Sequence, residues 1–172
     1  FLEKLGLSEK SEDVLRIVDK LAKIGEEQVT LQLNEITQDE NKSKEILTFI
    51  AGKDDFDSTL ELIGSMAGEK ANPFVERMKD IRQMMKASGI DSTYVLDPSI
   101  TRGLDYYTGV VYETFLNDLP SIGSVCSGGR YDSLAEFYTD KKLPGVGISI
   151  GLTRLFYQLR EANLIKENND YV

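Results

Sequence analysis

At 172 residues, 41% hydrophobic and 28% charged, the chain has mass enough for one domain or two small ones with a real core. A single cysteine, Cys126, and no histidine exclude an internal disulfide, suit a reducing compartment and leave a zinc site without its usual ligands. The net charge of −9 is spread along the chain, with 13 basic and 18 acidic side chains in residues 1–90 and 7 and 11 in residues 91–172, so no basic stripe offers a platform for RNA.

The chain starts at Phe1 rather than methionine and reads as a piece of a longer protein. No apolar run approaches the roughly 20 residues of a membrane span, and no charged-then-apolar leader resembles a signal peptide. A cytoplasmic protein with no membrane partner is the expectation.

Residues 1–90 read as a helical module. Ser11 is placed to cap a helix with Glu12 and Asp13 in its first turn, followed by Val14, Ile17, Val18, Leu21 and Ile24 at helical spacing and a stop at Gly25. Residues 26–35 form a second helix, with strand as the alternative because Val29, Leu31 and Leu33 alternate. A third helix runs over 39–50, and a fourth from Asp57 or Ser58 to Gly68. A fifth has Asn72 as cap, Pro73 at the first helical position and a core stripe of Phe74, Met78, Ile81 and Met85. No chemistry is legible in this half.

The character changes at 89–91. Residues 93–96 read as a strand stopped by Asp97-Pro98, and 109–116 and 121–126 as the arms of an antiparallel hairpin turning at 117–120. A short helix over 132–138, a glycine-rich strand over 145–151 and a helix over 152–162 follow. The pattern is α+β: helices first, then a small, mostly antiparallel sheet with helices.

Three stretches of this second half carry residues suited to binding. In 101–113, Gly103 and Gly109 bracket Arg102, Asp105, Tyr106 and Tyr107. Arginine offers a planar fork of donors to carboxylate or phosphate, and tyrosines paired on a strand would point to opposite faces. The plain alternative is an ordinary strand with core tyrosines. In 124–132, Gly128-Gly129 would let backbone approach a ligand closely, beside an Arg130–Asp132 salt bridge; the alternative is a Gly-Gly turn with Asp132 capping a helix. In 145–154, glycines leave a flat strand floor, and Arg154 enters the first turn of a helix, where N–H groups favour anions. The alternative there is a surface arginine.

Taken in this order, Arg-Gly-Leu-Asp-Tyr-Tyr-Thr-Gly, then Gly-Gly-Arg-Tyr-Asp, then Gly-x-Gly-x-x-x-Gly-x-x-Arg resemble the histidyl-tRNA synthetase family over residues 92–160. The first two resemble its histidine signatures and the third motif 3 of class II aminoacyl-tRNA synthetases. The resemblance implies a helical insertion domain over 1–90 and the C-terminal half of the class II catalytic domain over 91–172. It implies a homodimeric ligase of protein biosynthesis that activates L-histidine with ATP and Mg2+ and charges tRNA(His), with no metal held by this segment.

By the same resemblance Arg102 contacts the α-phosphate and the histidine carboxylate, Tyr106 and Tyr107 line the histidine pocket, Gly128 and Gly129 form its wall, and Arg154 holds the far phosphates. Motifs 1 and 2 and the anticodon-binding domain are not among these residues, so the segment alone is expected to be inactive. The alternative is a paralogue, the histidine-sensing regulatory subunit of ATP phosphoribosyltransferase, which binds but does not charge tRNA.

Overall fold

The computed structural model describes residues 1–101, 103 and 106–165, without the side chains of Leu134 and Phe137. It divides into two compact units, Phe1–Thr101 and Arg102–Val172.

The first unit is helical: α1 (Ser11–Val18), α2 (Leu21–Thr37), α3 (Glu40–Ala51), α4 (Phe56–Ala67) and α5 (Asn72–Ala87). Its core joins Leu7 to Val14, Ile17 and Val18 of α1, Val29 and Leu33 of α2, and Ile46 and Ile50 of α3. The helix-or-strand ambiguity over 26–35 resolves as helix. Val29 and Leu33, one turn apart, are fully buried, whereas Leu31 is 52% exposed. Gly25 does break the helical path, adopting φ 79°, but the chain resumes the helix beyond it.

Caps decide where several of these helices begin. Asp39 accepts N–H bonds from Asn41 and Lys42 and opens α3, at the start of the helix expected over 39–50. Such a cap is worth about 1 kcal/mol. Asp55, rather than Asp57 or Ser58, opens α4. Its carboxylate accepts from the Ser58 hydroxyl at 2.6 Å and the Ser58 N–H at 2.9 Å, and these bonds hold its pKa below the usual carboxylate value.

Ser11 and Asn72 do not cap, because each is already helical. Ser11 donates instead to the Ser8 carbonyl, and short 3-10 turns over Ser8–Lys10 and Glu69–Ala71 lead into α1 and α5. The expected core stripe of α5 also differs: Met78, Ile81 and Met85 are half-buried, Phe74 is 66% exposed, and no α5 residue is fully buried among the described residues.

Residues 93–96 are not a strand. Tyr94 packs edge-on against Phe56, with ring centroids 5.6 Å apart, and its hydroxyl accepts from the Arg82 guanidinium at 3.0 Å. Anchoring by one aromatic side chain replaces backbone pairing. The first unit consequently runs on through Thr101, whose hydroxyl donates to the Leu15 carbonyl.

In the second unit β1 (Val111–Thr114), β2 (Cys126–Tyr131) and β3 (Gly145–Ile150) form an antiparallel sheet in that order among the described residues. The hairpin expected from the sequence forms, but its second arm lies further along the chain than 121–126. Pro120 starts a 3-10 turn that ends at Gly123, whose φ of 73° is left-handed, so the extended run begins beyond it. Gly128 and Gly129 therefore lie inside the central strand, not in a turn at its end. The short helix expected over 132–138 is a 3-10 turn, Leu134–Phe137; α6 (Leu152–Glu161) follows β3 as anticipated.

Candidate functional site: a tyrosine cluster on a glycine-bearing sheet

The segment leading into β1 is pulled onto the central strand by backbone bonds. Tyr106 and Tyr107 donate their N–H groups to the Gly103 carbonyl at 3.1 and 2.8 Å, and Thr108 donates to the Arg130 carbonyl at 2.9 Å. Gly103 is required twice over. Its φ is 68°, and a Cβ there would sit 2.0 Å from Tyr107 Cδ2.

Having no side chain, Gly129 lets the Tyr107 ring lie directly on the strand: a Cβ at 129 would come within 2.9 Å of Tyr107 Cγ and Cδ1. The Tyr106 ring packs against it, centroids 4.4 Å apart and planes at 59°. The two tyrosines are therefore neighbours in one cluster. They do not splay to opposite faces, because they lie in the turn before β1 and not on a strand.

Glycine and tyrosine meet elsewhere on the same sheet. Tyr112 pairs with Gly128 across β1 and β2, and its hydroxyl donates to the Gly147 carbonyl at 2.5 Å; a Cβ on Gly128 would collide with that carbonyl. Tyr131 lies against Gly145 and Gly147. Gly128 and Gly129 present opposite faces of β2, so Gly129 is the one beneath Tyr107. Sequence reasoning singled out the glycines and Tyr107 but missed Tyr112 and Tyr131, whose signal was a tyrosine directly opposite or diagonal to a glycine once the register is known.

Partial burial of its phenol, reinforced by Tyr106, Tyr112 and Tyr131, pushes the Tyr107 pKa up. Like any phenol at neutral pH, the hydroxyl is protonated and can both donate and accept. A phenol whose pKa is raised by folding contributes stability that is complete below the ordinary phenol value and is lost as pH rises through the raised value. In a tyrosinate absorbance titration, Tyr107→Phe should remove a late-rising component; an unchanged curve above that range would contradict this environment.

Of the arginines, Arg130 forms the expected salt bridge with Asp132 at 2.8 Å. Arg154 is exposed in the first turn of α6 and donates to the Ser124 carbonyl at 3.1 Å, at the Cys126 end of β2. None of its described contacts is to the Tyr107 cluster. Arg102 and Asp105 lie outside the described residues.

Two clefts of the first unit offer no comparable convergence. One is lined mainly by apolar side chains such as Val14, Val18, Ile46 and Phe49. In the other, the Arg82 guanidinium already lies over Phe56 and Tyr94 and faces Asp57.

A family model described as histidyl-tRNA synthetase matches residues 1–155. The chain belongs to the histidyl-tRNA synthetase family. It is 56% identical to a histidine–tRNA ligase of Treponema denticola over 92% of its own length and 36% of that relative's, and 49% identical to one of Clostridium tetani over 93% and 37%. A crystal structure of histidyl-tRNA synthetase from Nostoc sp. PCC 7120 superposes with TM-score 0.81 and 36% identity, covering 90% of this chain and 37% of that one. A Bacillus halodurans structure titled as an ATP phosphoribosyltransferase regulatory subunit/histidyl-tRNA synthetase shares the fold at TM-score 0.68 and 18% identity. The chain thus spans little more than a third of the length of these synthetase relatives, and its α+β fold is that of the family.

Proposed function

We propose that this chain supplies the histidine-binding wall and part of the ATP site of a histidine–tRNA ligase. The observation that carries the reading is the Tyr107 ring, seated on Gly129 beside Tyr106, in a chain of this family. An imidazole is planar, with a donor and an acceptor nitrogen. An aromatic wall with one neutral hydroxyl matches both features without importing a charge.

The reaction needs positioning and positive charge more than it needs a base. A carboxylate oxygen of histidine attacks the α-phosphorus of ATP, the bond to the bridging oxygen breaks, and pyrophosphate departs with its Mg2+, counted here with the nucleotide as substrate. The acyl group then passes to tRNA(His). Arg102 takes the role of holding carboxylate and α-phosphate together. Arg154 takes the outer phosphates. It docks on the Ser124 carbonyl, two residues before β2 begins and five from Gly129, and so marks the end of the sheet where those phosphates would lie.

On this reading residues 1–90 are the insertion domain, with 91–101 packed into the same helical unit, and the sheet unit from residue 102 on is part of a larger catalytic sheet. The exposed row Val146, Ile148 and Ile150 on β3 supports the latter, being the kind of apolar surface that a larger domain covers. The whole protein would act as a cytoplasmic homodimer.

The test is histidine-dependent ATP–pyrophosphate exchange. The 172-residue chain alone should give none, and the same segment exchanged into the Treponema denticola ligase should restore it. Appreciable exchange by the chain alone would refute the division of labour. Histidine binding without any exchange in the hybrid would favour the regulatory-subunit reading.

A further inference from the structure

We infer that Thr108 and Asp132 form a positioning pair that fixes the Tyr107 ring over Gly129, and so governs histidine affinity, an inference that rests on the reading of Tyr107 given above. The two residues bond reciprocally. The Thr108 hydroxyl donates to Asp132 Oδ2 at 2.8 Å and accepts the Asp132 N–H at 3.0 Å. The other carboxylate oxygen, Oδ1, is held by Arg130 through Nη2 at 2.8 Å and Nε at 3.1 Å. A planar guanidinium gripping one oxygen leaves the second aimed at Thr108. The Thr108 N–H meanwhile binds the Arg130 carbonyl, and the Arg130 stem covers Gly109, where a Cβ would come 3.0 Å from Arg130 Cδ.

The consequence follows from chain position. Thr108 directly succeeds Tyr107, and Arg130 directly succeeds Gly129. Tying Thr108 by backbone and side chain to residues 130 and 132 fixes the C-terminal side of Tyr107, while its own N–H is fixed to the Gly103 carbonyl. With both flanks held, the ring has one seat. Thr108 is exposed and Asp132 only partly covered, so the pair adds little packed surface. Its main effect is on where the neighbouring ring sits.

The contact is read by NMR on the whole chain, as cross-relaxation between the Tyr107 ring protons and the Gly129 α-protons. Thr108→Val should abolish it while the chain stays folded by circular dichroism, and Thr108→Ser should retain it. Asp132→Asn, which cannot accept from both Arg130 and Thr108, should weaken it. In the hybrid ligase, Thr108→Val should raise the histidine KM at least fivefold at unchanged kcat and unchanged ATP KM, with Thr108→Ser near wild type. Tyr107→Phe should keep the ring contact yet raise the histidine KM. An undiminished ring contact in Thr108→Val overturns the positioning role. If the contact is lost but neither Thr108→Val nor Tyr107→Phe moves the histidine KM, the pair positions the ring and the histidine reading of Tyr107 is what fails.

Discussion

Gly128→Ala is expected to destabilise the sheet unit by about 3 kcal/mol, near the upper end of the range for forced overpacking. A Cβ at 128 would lie 2.1 Å from the Gly147 carbonyl oxygen and 2.4 Å from the Tyr112 hydroxyl. The phenol can swing aside, but the carbonyl belongs to the backbone of the neighbouring strand and cannot. Removing the phenol oxygen should therefore not rescue the variant: Tyr112→Phe alone should cost about 1 kcal/mol for one lost hydrogen bond, and the double variant should remain close to Gly128→Ala. Gly147→Ala is the internal control, since its Cβ would meet only the edge of the Tyr131 ring at 3.3 Å. Seven of the eight tyrosines lie in 102–172, so tyrosine fluorescence during urea unfolding reports mainly on this unit. A Gly128→Ala midpoint within error of wild type would mean that the strand register is not the one described.

Leu33→Ala is expected to cost about 3 kcal/mol in the helical unit, within the range for leucine truncation in a close-packed core. Leu33 is fully buried in the core that α1, α2 and α3 build together. Leu31→Ala should fall within about 0.5 kcal/mol of wild type, as surface substitutions do. The pair also tests the secondary structure. On a strand, residues 29, 31 and 33 would share one face, and truncating Leu31 would cost about as much as truncating Leu33. Helical circular dichroism against urea follows the transition, because α1 to α5 all belong to this unit. Equal losses for the two variants would contradict the helix.

The helical half was legible because its signals are local. Asp39 precedes an apolar run at helical spacing, and that is sufficient to open α3. Where local signals competed, the sequence was less decisive. Ser11 and Asn72 have the chemistry of caps, but 3-10 turns ahead of them had already begun the helical path, so neither side chain was needed. Residues 93–96 have strand-like composition without a partner strand, and Tyr94 found Phe56 and Arg82 instead.

The site was legible in its residue types and not in its arrangement. Arginine, tyrosine and glycine stretches pointed to a binding surface and a family. What brings Tyr107 over Gly129 is a register that starts from the turn at Pro120 and Gly123 ahead of β2, and a period-2 count from 126 that no local pattern reveals. Once β2 begins at Cys126, Gly129 faces Tyr107 and Gly128 faces Tyr112; a one-residue slip would exchange them.

The claim that Tyr107 contacts the substrate is tested most directly by the histidine KM of Tyr107→Phe in the hybrid ligase, measured by ATP–pyrophosphate exchange. Removing one hydroxyl that binds an imidazole nitrogen should raise that KM by about tenfold, the equivalent of about 1.4 kcal/mol, with the ATP KM unchanged. A histidine KM equal to that of the unsubstituted hybrid, with Tyr107→Phe correctly folded, would remove Tyr107 from the histidine site.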